Sequence, residues 1–213
     1  MQLGAATLIV LVPLSLAIGR LLAFRRFPGR RLAESLVALP LVLPPTVLGF
    51  YLLRAFGARS SLGATFSAWT GHTLAFSFEG LLLASVIANL PFAVQPIQRA
   101  FESISRDVRE AAACCGMPPW RSALTIELPL AWPGIVTAAI LTFTHTLGEF
   151  GVVLMVGGNI PNETRTLSIA IYDRMQAFDE RGAGIMAATL LAVALVTLVA
   201  TNVMSRRVGH QRA

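Results

Sequence analysis

The side chains that could do covalent chemistry are few, and none falls into a pattern typical of catalysis. Ser85 and His145 are candidates for the nucleophile and base of an intramembrane protease, but they show no spacing typical of such a pair. Cys114 and Cys115 are adjacent, which suits neither a disulfide, whose Cα atoms lie about 5.5 Å apart, nor a metal site. No glycine-rich loop ends in Lys-Ser or Lys-Thr to cradle phosphates. The sequence therefore predicts no catalytic residue and no metal site.

The segment between residues 105 and 129 has a spacing that suits a mechanical role instead. Ser105 can cap a helix, and Asp107 would lie in its first turn, where the helix dipole favours an acid. The alanines at 111–113 favour helix and leave a smooth surface. Gly116 and the two prolines that follow Met117 should end the helix. We expect a short rigid helix, residues 106–115, that another protein can grip and push.

The composition is that of a membrane protein. Only 13% of the 213 residues are charged and 55% are hydrophobic, whereas soluble domains carry about 25% charged residues. The net charge of +6 comes from arginine alone, and the arginines cluster at the ends of apolar runs, as membrane topology requires. Nucleic-acid binding would need a basic face on a soluble fold, so it is not expected.

Five apolar runs are long enough to cross a bilayer core of about 30 Å as helices. They are residues 3–24, 32–53, 80–97, 128–146 and 184–203. Helices are required because an open strand would leave backbone groups unpaired in lipid. Arginine-rich loops follow the first and third runs, which predicts a cytoplasmic C-terminus and an N-terminus outside. The basic residues follow the first run rather than precede it, so we expect an uncleaved span. The predicted fold is a single all-α membrane domain, residues 1–213.

Prolines and glycines interrupt these runs. Three prolines fall in the second run and two in the third, and each removes a helix hydrogen bond, so we expect kinks that serve either packing or a cavity. The fourth run continues into a glycine-rich stretch at 148–158, part of which is expected to fold back or line a pathway. Between the runs, 57–78 resembles an interfacial loop, and 166–178 has the apolar spacing of a short amphipathic helix along the outer face.

Candidates for a pathway or gate share a position within or beside these interrupted runs. They are Pro44, Pro45, Thr46, Asn89, Thr142, His145, Glu149 and Gly151. Each polar member could equally form an interhelix hydrogen bond, which contributes about 0.6 kcal/mol in membrane bundles. An acid at membrane depth is expected to be functional, so Glu149 is assigned to a gate or to a hydrogen bond between subunits. The alternative is that Glu149 is simply solvated at the outer interface.

The mechanical segment resembles a known signature. Glu110-Ala111-Ala112, three residues, Gly116, nine residues and then Ile126-x-Leu128-Pro129 is similar to the EAA motif of permeases in binding-protein-dependent ABC importers. The resemblance implies that loop 102–127 forms a coupling helix that docks in a groove of a cytoplasmic ATPase. Glu110 would pair with a basic residue of the ATPase, while Ala111 and Ala112 would permit close approach. Gly116 would make the turn, and Ile126 and Pro129 would mark re-entry into the membrane.

Further stretches resemble the molybdate permease subfamily and cover nearly the whole chain. They are residues 27–30, 39–49, 147–151 and 159–166, with Asn162 standing where a glycine is expected. The resemblance implies a type I importer fold in the bacterial inner membrane and a homodimer of the permease. It also implies two ATPase subunits, which bind the ATP, and one extracytoplasmic molybdate-binding protein. The chain itself would bind no cofactor and would not be an enzyme.

Two alternatives stay open at this point. Tungstate or sulfate could be the cargo, because importers of sulfate and ferric iron share the coupling loop and the choice of substrate is expected to reside in the binding protein. A carrier driven by an ion gradient belongs to a different class and would predict paired intramembrane acids or inverted repeats. Neither is evident in the sequence.

Overall fold

The computed structural model of the chain describes the backbone of residues 1–209 and the side chains of residues 1–199. All regular secondary structure within residues 1–209 is helical, which confirms the predicted all-α class. The helices are α1 (Gln2–Phe24), α2 (Arg30–Val42), α3 (Pro45–Phe56), α4 (Ser61–Thr70), α5 (Phe78–Glu102), α6 (Arg106–Cys114), α7 (Pro119–Ser122), a π-helical turn (Ala123–Glu127), α8 (Leu128–Gly148), α9 (Gly151–Gly157), α10 (Leu167–Gln176) and α11 (Glu180–Gly209).

Four helical stretches in the described part of the chain are long and apolar enough to cross a membrane. They are Gln2–Phe24, Phe78–Glu102, Pro119–Gly148 and Glu180–Val199. The third begins earlier than the predicted run 128–146, because α7, the π-helical turn and α8 are continuous. A fifth span exists only if α2 and α3 are counted together.

The second predicted run is divided by a sharp bend. The axes of α2 and α3 differ by 111°, where a single kinked helix over 32–53 was expected. Leu43 and Pro44 both precede a proline, which disfavours the helical conformation, and both adopt ψ of 135°. Pro45 then occupies the first position of α3, where the missing N–H costs nothing.

Helix α5 forms the centre of the bundle, with α1 and α8 packed against it. The Thr7 and Ser85 hydroxyls lie 2.8 Å apart near one end, and Gly19 contacts Ile97 near the other, so α1 runs parallel to α5. Helix α8 runs antiparallel, and a Cβ atom added to its Gly134 would lie 2.3 Å from the Cβ of Ala100. Glycine therefore lets the backbones of α5 and α8 approach closely.

The two arginine-rich loops lie at the same end of this bundle. Arg30, at the start of α2, reaches Glu102 at the end of α5 over 3.1 Å, and Arg20 reaches Glu127 at the start of α8. The opposite end gathers the chain's first residues and the segment 163–167 around a cavity of about 230 Å³. The two groups of loops therefore lie at opposite ends of the bundle.

Candidate functional site

Helix α6 forms as its capping residues predict. The Ser105 Oγ atom accepts a hydrogen bond from the Val108 amide at 3.4 Å, and Asp107 lies in the first turn. Arg106 and Glu110, one turn apart on the exposed surface, form an ion pair. The helix ends at Cys114, one residue before the predicted limit.

The end of α6 is fixed by a left-handed glycine. Gly116 has φ of +70°, its amide donates to the Ala113 carbonyl at 2.9 Å, and the Met117 amide donates to the Ala112 carbonyl at 3.1 Å. This pair of bonds is a Schellman motif, which satisfies carbonyls that the last turn would leave unpaired. Pro119 then opens α7 at the position that tolerates proline.

Two faces of α6 can be distinguished. Glu110 and Ala111 are exposed, as docking to another protein requires. Ala112 is only 7% exposed, so its methyl group packs within its own chain. Ala112 is therefore turned toward the rest of its own chain, whereas the resemblance implied that it permits close approach of the ATPase.

Ile126 and Pro129 lie inside a helical stretch that starts at Pro119, not at its beginning. The Leu128 amide donates to the Ala123 carbonyl, five residues earlier, which makes the turn π-helical. Pro129 has no N–H to offer the carbonyl of Thr125, and its ring crowds that carbonyl, so the turn widens. The Leu-Pro pair of the motif thus accounts for the local geometry.

Glu127, at the end of this wide turn, was not predicted as a site residue. It is 2% exposed, and its carboxylate oxygens lie 2.6 and 3.3 Å from the Arg20 guanidinium and 3.8 Å from the Arg109 Nε atom. The signal available in the sequence was an acid directly before the fourth apolar run, together with an arginine, Arg20, inside the first run. The sequence does not show that the two side chains meet.

Two pathway candidates, Asn89 and His145, bind each other. His145 Nδ1 lies 3.2 Å from Asn89 Oδ1, and the Asn89 amide donates to the Ser85 carbonyl at 2.8 Å. The Ser85 hydroxyl lies 2.8 Å from that of Thr7, so a polar chain crosses from α1 through α5 to α8. Phe92 stacks on the His145 ring at 4.1 Å. Asn89 is fully buried, and this arrangement supports the interhelix role of these side chains.

Glu149 follows α8 and caps α9. Its Oε1 atom accepts from the Val152 amide at 3.0 Å, and its Oε2 atom lies 3.7 Å from His145 Nε2. The residue is 8% exposed, so within this chain the carboxylate is not a solvated surface group.

The remaining candidates fall into two places. Pro45, Thr46 and Gly151 lie together, because the backbone of α3 begins beside that of α9. Pro44 and Thr46 are exposed at the bend. Thr142 is buried on α8, and among the described residues its hydroxyl has no hydrogen-bond partner.

The segment 159–166 folds on itself. The Thr164 hydroxyl donates to the Gly157 carbonyl at 2.6 Å and accepts from the Ile160 amide at 2.9 Å. Asn162 has φ of +65°, a conformation that asparagine tolerates where a glycine was expected. Asn159 and Arg165 both bind Asp173, which ties the segment to α10.

The chain is similar to known membrane transport proteins. Residues 14–208 match the family described as binding-protein-dependent transport system inner membrane component. The molybdenum transport system permease protein ModB of Azotobacter vinelandii is 44% identical over 94% of this chain and 88% of its own length. The ModB protein of Escherichia coli K12 is 37% identical over 100% of this chain and 94% of its own length.

More distant similarity extends beyond molybdenum. The sulfate transport system permease protein CysT of Escherichia coli K12 is 33% identical over 87% of this chain and 67% of its own length. The crystal structure of a bacterial ABC transporter involved in the import of the acidic polysaccharide alginate has the same fold, with a TM-score of 0.75 at 18% identity over 97% of this chain and 76% of that chain. The resemblance inferred from the EAA spacing is confirmed. The chain is an inner-membrane permease subunit of an ABC importer and belongs to the family of binding-protein-dependent transport system inner membrane components.

Proposed function

We propose that the chain is the permease of a molybdate importer that works by alternating access as a homodimer. Two cytoplasmic ATPase subunits would drive it, and an extracytoplasmic binding protein would deliver the anion. The similarity to molybdenum permeases over nearly the whole chain supports the cargo. The alginate transporter of the same fold is known in complex with a substrate-bound periplasmic protein, which supports the binding-protein partner. The N-terminus would lie outside and the C-terminus in the cytoplasm.

The observation that carries the ATP-driven mechanism is the shape of α6. The helix is short, is capped at its start and closed by a Schellman motif, and exposes Glu110 and Ala111. Such a helix transmits force as a rigid body, because its ends do not fray easily. Closure of the ATPase pair would draw the two copies of α6 together and open the outward gate.

The polar side chains in the interior of the chain suit weak binding of an anion in transit. Molybdate is a tetrahedral dianion that must also leave, so hydroxyls, amides and helix ends suit it better than a tight arginine cage. Asn89 and His145 are already bonded to each other. The start of α9 is occupied by the Glu149 carboxylate, whose charge repels anions. Thr142 is the candidate whose buried hydroxyl has no partner among the described side chains.

Sulfate and tungstate are the competing cargoes. The sulfate permease is 33% identical over 87% of this chain, and all three anions are tetrahedral dianions. The choice among them is expected to be made by the binding protein rather than by this chain.

The experiment is uptake of labelled molybdate into proteoliposomes that contain the permease, its ATPase and the binding protein. We expect uptake that requires ATP and falls at least ten-fold in Glu110→Ala. Asp107→Asn, an acid on the same helix outside the EAA motif, should keep uptake within two-fold. Sulfate that competes as well as molybdate would overturn the cargo. Uptake that follows an imposed ion gradient without ATP would instead support a secondary carrier and overturn the mechanism.

A further inference from the structure

Three helical elements converge on one buried carboxylate. Glu127 stands at the start of α8, Arg20 in the last turns of α1, and Arg109 in the middle of α6. One carboxylate oxygen lies 2.6 Å from Arg20 Nε, and the other lies 3.3 Å from Arg20 Nη2 and 3.8 Å from Arg109 Nε. Arg20 and Glu127 are 107 positions apart in the chain, so only the fold brings them together.

The buried acid of this cluster is stabilised by the two arginines. The Glu127 side chain is 3% exposed, and a buried acid left without a partner is strongly unfavourable. Arg20 and Arg109 keep 38% and 36% of their side-chain surface, so both guanidinium groups also reach the boundary of the bundle. The Arg109 guanidinium lies 3.7 Å from the centre of the Phe24 ring, which adds a cation–π contact to the end of α1.

The backbone geometry of the coupling motif determines the direction in which the Glu127 side chain points. The wide turn at Ala123–Glu127 results from Pro129, which cannot bond the Thr125 carbonyl. A π-helical turn shifts the register of the side chains around the helix axis relative to a regular α-helix. Glu127 is the last residue of that turn and is buried, whereas Leu124 and Thr125 before it are exposed.

The two faces of α6 have separate tasks in this arrangement. Glu110 and Ala111 face outward, where an ATPase would dock. Arg109 and Ala112, three residues apart and therefore on one face, lie against the chain itself. Within α6, Arg109 is the side chain that reaches both α1 and α8.

We propose that Glu127 is a positioning residue that clamps α6 to the ends of α1 and α8, so that a push on α6 moves both membrane helices together. The proposal rests on the proposed ATP-driven function. It assigns no contact with the substrate or the ATPase to Glu127, which acts through Arg20 and Arg109. Loss of the clamp should leave ATPase docking intact, but more ATP should be hydrolysed for each molybdate transported.

The test is the number of ATP molecules hydrolysed per molybdate transported, measured in proteoliposomes that contain equal amounts of assembled complex. Glu127→Gln preserves the size of the side chain and removes its charge, and we expect the ratio to rise at least five-fold. Arg109→Gln should raise it similarly, and the double variant should be no worse than either single variant, because all three break one contact. Glu180→Gln, a neutralised acid at the exposed start of α11 and outside the cluster, should stay within two-fold. An unchanged ratio in Glu127→Gln overturns the clamp, as does a parallel loss of uptake and ATP hydrolysis, which indicates a purely structural role.

A second measurement needs neither ATP nor substrate. Amide hydrogen exchange of the permease alone in nanodiscs should be at least ten-fold faster across residues 108–114 in Glu127→Gln and in Arg109→Gln than in the wild type. Failure of the wild-type complex to import molybdate would overturn the proposed function, whereas unchanged exchange in both variants would overturn the clamp.

Discussion

Pro45 packs directly against the backbone of Gly151, since a Cβ atom added to Gly151 would lie 2.7 Å from the Cβ of Pro45. Each residue follows an interruption of an apolar run: the bend after Val42 for Pro45, and the end of α8 for Gly151. Four residues further along α3, a Cβ atom added to Gly49 would lie 2.8 Å from the Cβ of Met155 on α9. The two interruptions therefore form one joint between α3 and α9.

Substitution of Gly151 by alanine should strain this joint. The added methyl group would also lie 3.3 Å from the Pro45 carbonyl carbon and 3.4 Å from the Thr46 nitrogen, which are backbone atoms that cannot rotate away. Overpacking of this kind costs about 1–3 kcal/mol, so we expect a lower thermal unfolding temperature in detergent and slower uptake. Gly148→Ala is the control, because beyond the adjoining backbone of its own helix no heavy atom lies within 4 Å of its added Cβ. Equal unfolding temperatures for the two variants would contradict the joint.

Gly116→Ala should weaken coupling through the backbone alone. Beyond the adjoining residues of the chain, no heavy atom lies within 4 Å of a Cβ at this position, but its φ of +70° costs an alanine about 1–2 kcal/mol. Asparagine tolerates the left-handed conformation better. We therefore expect ATPase co-purification and molybdate uptake to fall in the order Gly, Asn, Ala. A reversed order of the two variants would show that side-chain size at this turn decides the outcome.

The parts of the molecule that local chemistry determines could be predicted from the sequence. Ser105 and Gly116 predicted the start and the end of α6 to within one residue, because a cap and a left-handed turn depend on near neighbours. The prolines at 44 and 45 indicated a kink, but the 111° angle of the bend has no local pattern in the sequence, and neither has the packing of α3 against α9. The partner of Glu127 could not be predicted, because a contact across 107 positions leaves no local pattern. The same holds for Asn89 and His145: an interhelix hydrogen bond was an expected alternative to a pathway role for each, but the sequence did not show that the two bind each other.

Thr142→Val separates a pathway role from a structural one. The Thr142 hydroxyl is buried, and no partner for it lies among the described residues. Burial of an unpaired hydroxyl is unfavourable, so the isosteric valine should raise stability or leave it unchanged. If Thr142 contacts the passing anion, uptake should fall by several-fold without loss of fold, as measured by initial rates and thermal unfolding of the same preparation. Asn89→Ala should instead lower the thermal unfolding temperature, because it removes one hydrogen bond within α5 and one between α5 and α8. Unchanged uptake in Thr142→Val would remove this residue from the pathway.

Two variants of Glu149 separate capping from gating. Glutamine keeps an oxygen that can accept from the Val152 amide, so the start of α9 should persist. Alanine removes this cap, at a cost of about 1 kcal/mol. We expect Glu149→Gln to match the wild type in thermal unfolding but to slow uptake, because the charge that faces His145 is lost. Wild-type uptake and unchanged ATP coupling in Glu149→Gln would exclude a gate at this position.

The orientation of the chain can be tested with its own cysteines. The sequence holds only Cys114 and Cys115, and both are free and exposed at the end of α6. If the arginine-rich end is cytoplasmic, a maleimide that cannot cross membranes should label inside-out vesicles and leave intact spheroplasts unlabelled. A variant with both cysteines replaced by alanine and an added Ala68→Cys in exposed α4 should show the reverse pattern, because its cysteine lies beyond the other end of α3. Bound ATPase should protect Cys114 and Cys115 but not the cysteine at position 68. Labelling of both sites from the same side would contradict the topology, and equal labelling with and without the ATPase would contradict docking at α6.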